Sequence, residues 1–200
     1  MEQFWSGLGG AVIGGCIAGG FSIFAVYQTN KHNQERLERK EAKELQGLIQ
    51  ALHTEIKSVF EHYQVTVGED VECCINHEMP LEFYFPISSD YFTVYNENAS
   101  LIGRIQNDEL RQLLVKTYVK AKSLIDSFKM NNEQLAKYEQ LCALVSETKN
   151  EFYNQKTTEH QKTLIAYSAK IKALHVEVGK HVKDLLNLLE QEITPNKKTL

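Results

Sequence analysis

The amino-acid sequence predicts an all-α protein, in which one N-terminal transmembrane helix precedes a cytoplasmic antiparallel helical bundle with coiled-coil-like packing. Seven of the 11 glycines lie between Gly7 and Gly20, within an uncharged run at residues 4–27. The rest of the chain is poor in glycine, and apolar residues recur through it at the three- and four-residue spacing of a helix. Only 3 prolines interrupt the sequence, so long helices are expected.

The uncharged run at residues 4–27 has the length of a membrane span. A helix of this length covers roughly 36 Å, which exceeds the about 30 Å of a hydrocarbon core. Trp5 and Tyr27 lie near its ends, where aromatic residues favour the membrane interface. A phosphate loop is excluded because no strand fits before the first glycine. A lipoprotein signal ending at Cys16 is the disfavoured alternative, because uncharged residues continue after it as far as Tyr27.

Small residues form two parallel rows along this predicted span. Such rows let a neighbouring backbone approach closely, and they favour association of membrane helices. They predict a homo-oligomer. The first row consists of Ser6, Gly10, Gly14, Ala18 and Ser22, and the second of Gly7, Ala11, Gly15 and Gly19.

The distribution of charge predicts the orientation. No lysine or arginine precedes the run, whereas Lys31, Arg36, Arg39, Lys40 and Lys43 follow it in a charged stalk at residues 28–44. The positive-inside rule then places the N-terminus outside and the body in the cytoplasm. The formal net charge of −4 argues against nucleic acid as a partner, because binding to phosphates needs a basic surface.

The body at residues 45–193 contains four apolar seams, with an irregular insert expected at 66–86 and a flexible tail at 194–200. A turn is expected at Asn131-Asn132, and the last two helices are expected to run together through 154–162. The first seam is Leu45, Ile49, Leu52, Ile56, Val59 and Tyr63; the second is Leu110, Leu114, Thr117, Ala121, Leu124 and Phe128. The third is Leu135, Tyr138, Cys142, Val145 and Phe152; the fourth is Leu164, Tyr167, Ile171, Leu174, Val178, His181, Leu185 and Leu188.

Few residues suggest chemistry. Cys73, Cys74 and His77 resemble half of a metal site, but no second pair of ligands has suitable spacing, so a loop with incidental thiols is favoured. His181 stands where its seam expects leucine; it either fixes the register of the bundle or acts as a protonation switch. No nucleophile motif is evident, and neither a cofactor nor an enzymatic activity is expected.

Residues 91–125 resemble uncharacterised bacterial one-span inner-membrane proteins. The resemblance is carried by Tyr95, Asn98 and Ile102-Gly103, with Phe85-Pro86 before them and Val115 and Tyr118 after them. It implies a bacterial inner-membrane location and no known activity. Gly103 would permit close helix contact, and a ligand pocket under Tyr91 and Tyr95 is the less favoured alternative to packing.

These patterns predict a self-associating scaffold or sensor, anchored in the lipid bilayer, that binds a cytoplasmic protein partner. The alternative is an effector of an anti-phage or toxin-like system that perturbs the membrane when its glycine-rich span rearranges. An enzyme is the least supported class.

Overall fold

The computed structural model describes residues 2–76, 81–87 and 91–194, and of residues 2–25 it describes the helical backbone alone. All regular secondary structure in these ranges is helical, as predicted. The elements are α1 (Glu2–Tyr63), a π-helical turn (Gln64–Gly68), α2 (Glu69–Asn76), α3 (Thr93–Glu97), α4 (Ala99–Ile102), α5 (Asp108–Thr148) and α6 (Glu151–Ile193). The chain divides into two compact units, Met1–Gln46 and Gly47–Leu200.

Within the first unit, residues 2–46 belong to α1. From Val26 to Glu44 its side chains are almost all exposed, and Lys40 and Glu44 form an ion pair at 3.8 Å. Within the part of the chain whose side chains are described, no helix is apolar over a stretch long enough to cross a lipid bilayer. The two predicted rows of small residues, Ser6 to Ser22 and Gly7 to Gly19, lie outside the described side chains.

The second unit is a helical bundle built on the α5–α6 hairpin. Only Lys149 and Asn150 separate the two helices; Lys149 adopts the left-handed conformation, and the Asn150 side chain accepts a hydrogen bond from the Phe152 amide at 2.9 Å. The helices run antiparallel, since Lys120 pairs with Glu177 at 2.9 Å and Gln134, further along α5, contacts His160, nearer the start of α6, at 3.0 Å.

Helix α6 runs unbroken through 154–162, as expected. The helix boundary lies earlier, at Lys149 and Asn150, so the third-seam residues from Leu135 to Val145 belong to α5 and only Phe152 belongs to α6.

The end of α1 supplies the third helix of the bundle. Leu52 and Ile56 are fully buried there, and Tyr63 reaches α6. The Glu55 carboxylate accepts hydrogen bonds from the Tyr118 hydroxyl at 2.9 Å and from the Val94 amide at 2.6 Å. Glu55 therefore joins α1 to α5 and accepts hydrogen bonds from amides at the start of α3 that have no partner within that helix.

An extended segment at residues 81–87 packs along the hairpin. The Asn131 amide donates to the Leu81 carbonyl at 3.2 Å, and Asn132 exchanges two hydrogen bonds of 2.9 Å with the Phe85 backbone. The predicted turn at Asn131-Asn132 was therefore wrong: α5 continues through both residues. Their amides satisfy the backbone of a segment that has no strand partner.

The apolar seams differ in how well burial matches them. All six residues of the α5 seam from Leu110 to Phe128 are buried, as predicted. In α6, however, the fully buried positions alternate four and three residues apart, and the predicted Tyr167, Leu174, His181 and Leu188 are only half-buried. The buried residues of α6 are Leu164, Ser168, Ile171, His175, Val178, Val182, Leu185 and Leu189.

The expected irregular insert at 66–86 is shorter than predicted. Helical structure continues from Tyr63 through the π-helical turn and α2 as far as Asn76. Val71 and Cys74 are buried, so α2 has an apolar face that packs on the bundle. Tertiary contact thus outweighs the helix-breaking tendency of Gly68.

Candidate functional site: a polar relay beside an apolar cavity

The π-helical turn interrupts the regular helix at the sequence Gln64–Gly68. Val65, Thr66 and Val67 are β-branched and fit a regular helix poorly. The Thr66 hydroxyl donates to the His62 carbonyl at 2.8 Å. A side chain at Gly68 would lie 2.0 Å from Gln64 Oε1, so glycine permits the close approach of the Gln64 side chain. Single π-helical turns often occur at functional sites.

Three side chains meet next to this turn. The Tyr63 hydroxyl lies 2.5 Å from Nδ1 of His175, and Nε2 of His175 lies 3.6 Å from the Glu72 carboxylate. The Gln64 amide also donates to Glu72, at 3.2 Å. His175 is buried, whereas Glu72 is exposed. The set links α1, α2 and α6 through a chain of polar contacts, which we call the relay.

Burial sets the protonation states in the relay. Burial raises the pKa of Tyr63, and the nearby Glu72 carboxylate raises it further, so the Tyr63 hydroxyl stays protonated. It donates a hydrogen bond to Nδ1 of His175. Burial lowers the pKa of His175, although Glu72 opposes this shift. His175 is then neutral, with its proton on Nε2 facing Glu72.

Tyr63 also lines an apolar cavity of about 70 Å³. Its walls come from the end of α1, the π-helical turn, Phe85-Pro86, Tyr91-Phe92, α5 and α6. Ile56, Phe92, Phe128 and Val182 are among the wall residues and are each almost fully buried. The cavity is therefore enclosed largely by core side chains.

Phe92 adds a second backbone irregularity at the cavity. Its φ of 69° lies in the left-handed region, which is rare for a bulky residue and costs energy. Its ring packs edge-on against Tyr118 at 5.0 Å between centroids. The buried contacts hold Phe92 in this conformation at the start of α3.

The residues of the recognised stretch lie in different surroundings. Tyr91 lines the cavity, while Tyr95 stacks on Tyr118 at 4.0 Å between ring centroids. Asn98 bonds the Val94 carbonyl at 2.8 Å and ends α3. Gly103 is exposed, and a side chain there would approach only Ser100, at 3.8 Å. Of Tyr91, Tyr95, Asn98 and Gly103, Tyr91 alone lines the cavity, together with Phe85 and Pro86 from the segment before them.

The other candidate residues are not brought together. Cys73 is exposed and Cys74 is buried, and burial raises the pKa of the Cys74 thiol. His77 lies outside the described residues. Within the described ranges, no group of three His, Cys, Asp or Glu side chains could hold a metal ion. His181 is half-buried, and its Nδ1 is a buried atom with no hydrogen-bond partner there.

No protein-family model, curated protein or solved structure matches the chain.

The sequence pattern does not single out His175. His175 follows Leu174, and a leucine is the natural choice for a buried position, so the predicted seam passes through Leu174 and His181. The sequence nevertheless contains a signal. Leu164, Ile171, Val178 and Leu185 can share a helix face either with residues three positions later or with those four positions later. The second choice gives Ser168, His175, Val182 and Leu189, of which Ser168 and His175 are polar. Buried polar residues on a seam mark places where side chains from other elements supply partners.

Proposed function

We propose that the chain is a membrane-anchored helical scaffold or sensor that self-associates through residues 4–27 and presents its bundle to a protein partner in the bacterial cytoplasm. The uncharged run, its two rows of small residues and the basic stalk behind it support the anchor and its orientation. Helix α1 includes both the glycine-rich residues and residues of the bundle core.

The proposal of a protein partner rests on the outer part of the α5–α6 hairpin. We call residues 136–148 and 151–163 the hairpin tip. No residue of the tip is buried, although Leu135 and Leu164 on its inner side are. Each arm is about 20 Å long at 1.5 Å per residue. Leu141 and Val145 are half-exposed there, and Phe152 is 59% exposed.

A helix is the partner element that fits the tip best. In the inner part of the hairpin, α1, α2 and the extended segment at residues 81–87 lie against α5 and α6 as a third layer and cover the buried positions. A partner helix at the tip would continue the same layer and cover apolar residues that α1 does not reach. The tip carries charges of both signs, among them Lys137, Glu147 and Lys156, so the partner need not be strongly charged.

The test of self-association replaces small residues in one row. Gly10→Leu with Gly14→Leu fills the proposed contact, whereas Val12→Leu with Cys16→Leu adds bulk at the same spacing on positions outside both rows. Chemical crosslinking of the full chain in bacterial membranes should show about tenfold less dimer for the glycine variant, as expected for loss of one to two kcal/mol. Equal crosslinking of both variants would contradict the assigned surface.

Two further readouts complete this experiment. A reporter active only in the cytoplasm, fused after Leu200, should be active; activity of a periplasm-only reporter would contradict the orientation. Membrane leakage on overexpression, abolished by the glycine variant and kept by its control, would instead favour the membrane-perturbing effector.

A further inference from the structure

We infer that the cavity beside Tyr63 is a binding site for the apolar end of a small amphiphile with an alkyl chain, of the fatty-acid class. The cavity lies within the second unit, so this inference stands whether or not residues 4–27 cross a membrane.

The walls of the cavity suit an apolar group. They are formed mainly by core side chains such as Ile56, Leu124 and Val178, which offer no hydrogen bonds. Water is held poorly in such a space, because an ordered water needs two to four polar partners. A peptide segment would bring amide and carbonyl groups that the walls cannot satisfy. An alkyl chain brings none, and about 70 Å³ accepts its last few carbon atoms.

The open side of the cavity suits a polar head group. His62, Thr66 and Tyr91 line it beside the apolar walls, and His62 and Thr66 are exposed. The imidazole of His62 and the Tyr91 hydroxyl are hydrogen-bond donors for a carboxylate. An amphiphile can therefore place its chain among the core residues while its head group stays at the solvent side.

Two backbone irregularities border the same space. Tyr63, Thr66 and Val67, at the π-helical turn, line it on one side, and Phe92 with its φ of 69° lines it on another. Strained or irregular backbone of this kind occurs at ligand sites, where the surrounding structure holds it in place. Both irregular backbone segments therefore contribute walls to this cavity.

The test is photolabelling of the full chain in membrane vesicles with a decanoic acid that carries a diazirine on its terminal carbons. Peptide mapping should place the adducts on residues of the cavity wall in α1 and α5. Ala121→Val adds two methyl groups to the wall and displaces about two carbons of the chain, which should weaken binding about tenfold. Ala136→Val makes the same change on α5 at a position outside the cavity and should label like the parent.

Thermal unfolding accompanies the labelling and confirms that each variant folds. If Ala121→Val fails to fold, Val59→Ile fills the same cavity by one carbon and takes its place, with Val145→Ile as its control. Adducts confined to residues 4–27, or equal labelling of the cavity-filling variant and the parent, would overturn the inference. If no adducts formed on the cavity wall at any probe concentration, the inference would also be overturned. This result is expected if a side chain of another protein occupies the cavity.

Discussion

The inner and outer parts of the α5–α6 hairpin belong to the same two helices, but they differ in burial, and the outer arm of α6 has only Phe152 and Tyr153 as apolar or aromatic residues. From Leu110 to Leu135 on α5, and from Leu164 to Leu189 on α6, nearly every third or fourth residue is buried. Over the hairpin tip, none is. The difference teaches that periodic apolar residues mark a helix face, while the presence of a third layer decides whether that face becomes a core.

The largest effect is expected from truncation of a core leucine. Leu185 is fully buried, so Leu185→Ala should lower the free energy of unfolding by about 2–5 kcal/mol, through lost burial and the cavity that it leaves. Leu144→Ala at the hairpin tip should cost about 1 kcal/mol or less, because Leu144 is already partly exposed. Denaturant titration of both variants measures the contrast. Equal losses would mean that the tip belongs to the core.

A smaller effect is expected from the buried amide that holds the extended segment. Asn131→Ala leaves the Leu81 carbonyl without its donor and should cost about 1–3 kcal/mol. Asn154→Ala, on the exposed surface of the tip, should change stability by less than about 0.5 kcal/mol. The same denaturant titration compares the two variants. If Asn131→Ala left the free energy of unfolding unchanged, other contacts would hold the extended segment at residues 81–87.

The relay predicts a dependence of stability on pH in the inner part of the hairpin. In the unfolded chain, His175 takes up a proton at about pH 6.5. In the folded protein, burial lowers the pKa of His175. The unfolded state therefore binds more protons in the window below pH 6.5, and stability is lost as the pH falls through that window. Melting temperatures of the parent and His175→Gln should converge on acidification. A difference that stays constant with pH would argue against a neutral buried His175.

The smallest effect on stability is expected at the end of the tip. Phe152 is exposed, so Phe152→Ser should leave the free energy of unfolding within about 0.5 kcal/mol of the parent. If the tip binds a partner helix, the same change should weaken that complex, since exposed aromatic residues are frequent anchors at interfaces. Co-purification of parent and variant with a partner, once one is isolated, measures this. A variant that binds equally well would place the interface elsewhere.

Periodicity predicted much of the fold, because a helix face is encoded locally. The α5 seam follows from spacing alone. The helix begins after Asn107, a residue type that commonly caps helices, and the Asn107 side chain accepts a hydrogen bond from the Leu110 amide at 3.1 Å. The continuation of α5 through Asn131 did not follow, because the partner of that amide lies 50 residues away in sequence.

The candidate site was mostly beyond prediction from the sequence. Tyr63 was assigned to a seam, but its contact with His175 joins residues 112 positions apart. The π-helical turn and the left-handed conformation of Phe92 depend on packing from several elements, which local propensity does not contain. A pocket under Tyr91 and Tyr95 is the alternative that the sequence favours less than packing; Tyr91 lies on the cavity wall, whereas Tyr95 stacks on Tyr118.

Hydrogen exchange of the full chain in lipid nanodiscs, resolved by peptide, tests most directly the claim that the hairpin has a closed inner core and an open outer surface. The account predicts that amides in 110–135 and 164–189 exchange slowest, and that those in 136–148 and 151–163 exchange sooner through local opening. Uniform protection along the whole hairpin, in the absence of any partner, would contradict it.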